Sequence, residues 1–443
     1  MTTDAGTGTA GSVAAGPTKQ FFVSMITRDI ALQPAIVDLV DNSVDGARRL
    51  RGDGSFAGLK VKLQFGESEF LIEDNCGGID LETARLYAFK FGRIGDPPGV
   101  AHSVGQFGVG MKRALFKLGS AFRVESHAEH SSFALSVNVP SWQELDEWAF
   151  PLESADETTT RPQAETGTRL RVRPLHEEVA ADLALDTFTT SLVAELRAKH
   201  RVSIAEGLTI IVNGSEVSPW PITLLSGENL TPGQRSTRYT APRPSPVDVV
   251  LSAGLGDSEP TQAGWYVFCN SRLVLGPDQT ILTGWGEGRG HRIPRFHTQF
   301  SRFRGYVFFD SNRADLLPLT TTKVGVDSTS ALWRATRLQM IEMTRPVIDF
   351  LNALDWENPQ VLGDEVGTLE QVVAQAKPVL VHELAEGTFR APGRNVVARP
   401  PATSSIQYRK LIEDIDRAKE LLGASTNSEV GDRTFDYFLE AES

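Results

Sequence analysis

Cysteine is nearly absent. Cys76 and Cys269 are the only two in 443 residues, far apart, with no Cys-x-x-Cys spacing and no histidine partner close by. That excludes a disulfide framework and leaves a thiolate zinc site without a ligand set. There is no run of about 18 apolar residues, so no membrane-spanning helix is expected. Positive charge is in deficit: 44 Lys and Arg against 56 Asp and Glu give a net charge of −12. A surface coated in basic charge for non-specific grip on nucleic acid is thereby excluded, leaving room for a local patch. The first nineteen residues lack the apolar core of a signal peptide and read as a flexible tail. The expectation is a cytoplasmic protein in a reducing compartment.

Hydrophobic residues make up 40% of the chain and charged residues 23%, proportions from which a folded chain can build a core. The length suits two or three domains. Apolar residues Ala35, Ile36, Leu39, Val40 and Val44 recur every three to four positions, predicting a helix with one buried face within 29–50. Strands are expected at 59–65 and 69–74, joined by a turn at 66–68, then a helix starting near Asp80 and a Gly- and Pro-rich loop. Helix 111–118 and strands 121–127, 131–139 and 166–172 follow. Beyond a helix at 185–199, strand 208–212 runs into Asn213-Gly214, a hairpin dipeptide. The stretch 218–246 reads as a Pro-, Ser- and Thr-rich loop. Three strands (247–253, 264–275 and 305–309), a long helix at 328–354, a proline-bearing linker and two C-terminal helices, the second short and around 435–439, complete the reading.

Three polar clusters carry chemistry. Asp38, Asn42 and Asp45 share one helix face at spacings of four and three, so they can converge on a small ligand; the alternative is a solvated face. Asp74-Asn75-Cys76-Gly77-Gly78 follows a strand, where a carboxylate can accept hydrogen bonds and glycines allow close approach; the alternative is a plain turn. Gly105-Gln106-Phe107-Gly108-Val109-Gly110 opens a helix, where free N–H groups and the dipole suit phosphate. The last is neither a Walker A loop nor a dinucleotide fingerprint.

In this order and spacing the three clusters resemble the motifs of the GHKL ATPase superfamily of gyrase B subunits, ninety-kilodalton heat-shock chaperones, histidine kinases, MutL and MORC proteins. IVDLVDNSVDGA is similar to its first motif, DNCGGID to its second and GQFGVG to its third, the last reading as it does in the heat-shock chaperones. TGTRLRV resembles the strand closing the adenine pocket. GWYVFCNSRLVL, RGYVFFD and LTTTKVGVD resemble the second domain of MORC-type proteins.

The resemblance, which spans about residues 20–350, implies an α/β (α+β) Bergerat sandwich at 20–180. It implies a ribosomal-protein-S5-like transducer domain at 181–352. A helix and linker at 353–405 and a helical segment at 406–443 complete the layout, after the tail at 1–19. It also implies ATP and Mg²⁺ as cofactors. Asn42 would ligate the metal, with Asp45 nearby. Asp74 would accept from the adenine amino group, with Gly78 and Thr168 beside it. Gly105, Gln106, Phe107, Gly108, Val109 and Gly110 would wrap the phosphates, and Lys323 would reach the γ-phosphate from the second domain. Asp38 stands where hydrolysing relatives carry a glutamate. Its shorter reach predicts slow turnover, because displacement on the order of 1 Å costs about 100-fold. Asp41, one turn along, cannot simply replace it.

The resemblance implies a second copy of the chain as partner, joined through the N-terminal domains when ATP is bound; separately, the C-terminal helices offer a docking element for a protein partner. No membrane partner is expected. The alternatives are a non-hydrolysing nucleotide-gated scaffold and a DNA-associated clamp. The clamp, or genome-defence component, rests on the resemblance to DNA-associated MORC and MutL proteins and on RGHRIPRFHTQFSRFR (289–304), with five arginines, three phenylalanines and no acid. The competing reading packs those phenylalanines into the core.

Overall fold

The computed structural model describes residues 16–52, 54–91, 109–240, 245–287, 293–320, 323–357, 368–393 and 409–441. Two compact units divide the chain, residues 1–393 and 394–443.

The first unit begins with helix α1 (Lys19–Arg28), capped by the Thr18 hydroxyl, which accepts from the Phe21 N–H. Lys19, expected at the end of a flexible tail, is buried, its ammonium donating to the carbonyls of Trp142, Leu145 and Glu147. Helix α2 (Leu32–Arg51) follows. Its apolar stripe, Ala35, Ile36, Leu39, Val40, Val44 and Ala47, is fully removed from water, as the three-to-four spacing required. It packs on α3 (Gly110–Leu118).

Beneath these helices lies an eight-stranded sheet. Its strands are β1 (Lys60–Phe65), β2 (Phe70–Asp74), β3 (Ala121–His127), β4 (Ser132–Asn138), β5 (Leu152–Asp156), β6 (Gly167–Val172), β7 (Thr209–Val212) and β8 (Ser215–Glu216). The order is β5-β4-β3-β6-β2-β1-β7-β8, antiparallel throughout except for parallel β1 and β7. Alternation decides the faces. Val61, Leu63, Phe122, Val124, Leu170 and Val172 point into the core. Arg169 and Glu73 sit on the other face, paired at 2.9 Å. Helices α4 (Glu177–Leu183), α5 (Asp186–Lys199) and α6 (Arg201–Ala205) form the crossover that a parallel β7 needs. Asn213-Gly214 closes β7 on β8 with both residues at positive φ. The sheet therefore continues to Glu216, past residue 180, where the sequence reading placed its domain division.

A second sheet, ordered β10-β11-β14-β12-β13, comprises β10 (Gly233–Tyr239), β11 (Val247–Leu255), β12 (Gly264–Cys269), β13 (Arg272–Asp278) and β14 (Phe303–Asp310). Helix α7 (Ala331–Asp355) covers it, and the Trp265 indole donates to the Thr344 hydroxyl at 3.1 Å. Gly305 makes room for that indole, because a Cβ there would lie 2.4 Å from the ring. The segment 264–275, read from sequence as one strand, is a hairpin turning at Asn270-Ser271. The segment 218–246, read as a loop, holds β9 (Thr223–Ser226) and β10. Helix α8 (Thr368–Gln375) precedes β15 (Lys377–Leu380), which pairs with β9.

The second unit carries α9 (Ile412–Leu422) and α10 (Asn427–Ala441), separated by a left-handed Gly423. The latter runs 15 residues, longer than the short helix expected around 435–439. Among the described residues, no helix is long and apolar enough to cross a membrane.

Candidate functional site

Helix α2 presents a polar stripe along one edge. Asp38, Asp41 and Asp45 are buried, while Asn42 is exposed. Both oxygens of Asp38 are engaged by cations: Arg113 Nη2 at 2.5 Å and Lys323 Nζ at 3.2 Å. Gly110 opens α3 directly against this carboxylate, where a Cβ would lie 3.3 Å from Asp38 Oδ2.

Asp41 is the hub of the cluster. Arg272 Nε donates to its Oδ1 at 2.7 Å, Lys323 Nζ to its Oδ2 at 2.8 Å, and His200 Nε2 lies 3.7 Å from Oδ1. Burial would raise this carboxyl, but Arg272, Lys323 and His200 together outweigh it and hold the group far below the usual carboxylate range. Burial works equally against the Lys323 charge, yet Asp41 and Asp38 raise its pKa. His200 goes the other way. Burial pushes its imidazole down to about 4, against the pull of Asp41, and Arg272 and Lys199 add to the fall. At neutral pH the Asp41 carboxylate and the Lys323 ammonium thus meet beside a neutral His200.

The strand-end acid lies nearby in the fold. Asp74 ends β2, opposite Thr168 on β6. Its Oδ1 accepts from the N–H groups of Cys76 (2.9 Å) and Thr168 (3.3 Å), and its Oδ2 from the Ser43 hydroxyl at 2.7 Å. A carboxylate oxygen takes two donors, so Oδ2 can accept from a ligand as well. Burial raises the Asp74 pKa against these three hydrogen bonds. Gly78, at φ +69, lies so close to the next loop that a Cβ would meet the His127 carbonyl at 2.3 Å. Cys76 is buried, and burial with neighbouring Asp74 pushes its thiol far up, leaving a protonated group rather than a nucleophile.

The structure thus brings Asp38, Lys323 and Gly110 together, and Asp74 with Thr168. Val109 caps α3. Gly105, Gln106, Phe107 and Gly108 lie outside the described residues. Sequence reasoning missed Arg113, His200 and Arg272, and passed over Asp41 as a partner for Lys323. Arg272 and Lys323 stand 231 and 282 positions from Asp41, beyond any local pattern. Among the described residues, no group of three His, Cys, Asp or Glu could hold a metal.

Of the arginine-rich stretch, Phe300 and Phe303 are buried and Phe296 packs beside Trp285. Arg304 is buried, donating to the carbonyls of Ser301, Phe303 and Asp257. Arg289 and Arg292 lie outside the described residues.

A mixed sheet roofed by α2 and α3, with an acid- and asparagine-bearing helix edge and a strand-end aspartate, is the architecture of a GHKL-type ATP-binding fold. Residues 30–168 match the family model described as histidine kinase-, DNA gyrase B-, and HSP90-like ATPase. The match takes in α2, β1 to β5 and the start of β6, and ATP binding is what that family implies for the segment. No curated protein matches the chain.

Proposed function

We propose that the chain binds Mg-ATP at the edge of α2, hydrolyses it slowly, and uses nucleotide state to reset the ionic contact between its two sheets. The observation that carries this is the double engagement of Asp38, which belongs to the matched segment and is ion-paired with Lys323 from outside it.

In this reading Asp74 accepts from the adenine amino group through Oδ2, with Gly78 and Thr168 shaping the pocket. Val109 and Gly110 meet the phosphates, together with Gly105, Gln106, Phe107 and Gly108. The exposed amide oxygen of Asn42 suits a hard cation, and Asp45 lies a turn further on. Bound Mg²⁺ supplies charge that offsets the phosphate oxygens. Asp38 takes a proton from water as the water oxygen bonds to the γ-phosphorus; the bond to the β–γ bridging oxygen breaks, and ADP and phosphate leave. Asp38 must first shed a cation, which makes hydrolysis slow. Lys323 exchanges its carboxylates for the γ-phosphate. ATP-dependent association of two copies follows from the resemblance to heat-shock chaperones and MORC proteins, and α9 and α10 offer a docking element for a protein partner. For the DNA-clamp alternative, Arg295 and Arg302 are the arginines of the patch left uncommitted to the core among the described residues.

The same doubly paired Asp38 favours a second reading, a scaffold that binds nucleotide without turning it over. Phosphate release and equilibrium binding of Mg-ATP separate the two. Slow turnover is expected, reduced about 100-fold or more in Asp38→Ala with binding kept, and binding is expected to fail in Asn42→Ala. Binding without phosphate release establishes the scaffold. No binding at all overturns both.

A further inference from the structure

We propose that Arg272 is a positioning residue for this site: it holds the backbone that carries Lys323, so that the lysine ammonium stays on the edge of α2. The inference rests on the nucleotide reading above for its functional consequence, and on geometry alone for the positioning.

Arg272 follows the two-residue turn Asn270-Ser271, whose φ values are +46° and +62°. That turn is pinned. The Asn270 side chain donates to the Ser311 carbonyl at 3.1 Å and accepts from the Ser311 N–H at 3.0 Å, and its own N–H donates to Phe309 O at 2.8 Å. A guanidinium is a rigid planar fork, and this one, 4% exposed, spends its donors on two targets. Nε holds Asp41 Oδ1 at 2.7 Å, and Nη1 holds the backbone carbonyl of Lys323 at 2.8 Å.

The second bond decides the role. Were Arg272 only a counter-ion for Asp41, its Nη1 would have no reason to grip the lysine that shares that acid. Lys323 also sits at φ +55, a left-handed backbone that a residue with a Cβ disfavours. Its N–H donates to Thr320 O at 3.0 Å, and Gly325 N–H donates to Val274 O at 2.7 Å, two residues along the strand from Arg272. The backbone just after the lysine's side chain is thus tied to β13 twice, and the backbone just before it closes on Thr320 within the same loop. With the backbone fixed, the ammonium can exchange Asp38 and Asp41 for a phosphate oxygen by rotating its own side chain. Without Arg272, the anchor drifts, and displacement on the order of 1 Å costs about 100-fold in rate.

The test measures Lys323 directly. Wild type, Arg272→Ala and Arg272→Lys are treated with an amine-acylating reagent, and each lysine is followed by peptide mass spectrometry. Lys19 and Lys112, buried elsewhere and bonded to backbone carbonyls, report whether the fold survives. Lys323 is expected to label about tenfold faster or more in both variants, with Lys19 and Lys112 still protected. If Arg272→Ala exposes those two as well, Arg272→Lys decides, since one ammonium cannot reproduce the fork. Mg-ATP turnover is expected to fall about 100-fold, with nucleotide affinity little changed, and to fall no further when Arg272→Ala is added to Lys323→Ala. Wild-type labelling of Lys323 in a folded Arg272→Lys protein overturns the inference, as do additive losses of turnover. A wild type that binds no Mg-ATP defeats the nucleotide reading instead, and the labelling still decides the positioning.

Discussion

His200 shows how one side chain records the cost of a buried ionic cluster. Its folded-state pKa is about 4 against 6.5 for the free side chain, chiefly through burial. Above pH 6.5 both folded and unfolded chains hold it neutral. As pH falls below 6.5, the unfolded chain takes up a proton that the folded one refuses, so stability declines until about pH 4. The span amounts to about 3 kcal/mol. His200→Gln is expected to flatten this slope, and urea unfolding at pH 7.5 and pH 5 checks it; an unchanged slope would show that His200 does not titrate as argued. Gly78 is a stricter case. Alanine there would add a Cβ 2.3 Å from a backbone oxygen at a left-handed φ. Neither backbone can yield cheaply, so Gly78→Ala should cost about 3 kcal/mol or more by urea unfolding. Gly78 and Asp74 were legible in sequence because their chemistry is local: a strand end followed by paired glycines. The partners of Asp41 were not, since only the tertiary fold brings them within 4 Å.

At the scale of elements, two hairpins make the same point with one residue of difference. Asn213-Gly214 and Asn270-Ser271 are both two-residue connections with positive φ at each position. The first was readable because glycine at the second position is the usual solution for a left-handed turn. The second was read through as continuous strand, since serine is a weak turn signal and apolar residues flank it on both sides. The structure compensates with the Asn270–Ser311 clamp. Ser271→Gly should therefore relieve left-handed strain and raise stability by up to about 1 kcal/mol, seen as a small rise in Tm; a fall would mean that the serine has a role besides turning the chain. Helix α2 was legible almost to its ends, because its apolar stripe has a clear period. The first sheet was harder. Its parallel β7 arrives by way of three helices, and no local pattern announces which strand it will join.

Across the whole molecule, α2 belongs to the first sheet's core, yet its acids answer to cations from the second. Asp38 and Asp41 sit one turn apart and are equally buried, but their removal should not cost the same. Without Asp38, Lys323 keeps Asp41, and Arg113 is 14% exposed at its side chain and can turn toward water. Without Asp41, Lys323 keeps Asp38, but Arg272, 4% exposed at its side chain, is left buried with no carboxylate. An unpaired buried charge costs about 3–5 kcal/mol. Asp41→Ala is thus expected to lose about that much, and Asp38→Ala about half, by urea unfolding at pH 7.5. The comparison also tests how the sheets are joined. A further joint is Arg201, which stacks on Trp220, lies over Tyr266 of β12 and Tyr306 of β14, and donates to the Trp220 and Pro221 carbonyls, with Ala198 and Val202 packed beside it against the same tyrosines' cluster. If Asp41 and Arg201 are the main ionic ties, segment-resolved hydrogen exchange in Asp41→Ala should show β11 to β14 opening at a lower free energy than β1 to β6. In the wild type the two sheets should open together. Equal exchange in both proteins would mean that packing, not the Asp41 cluster, couples the sheets, and a nucleotide acting through Lys323 would then have no purchase on the second one.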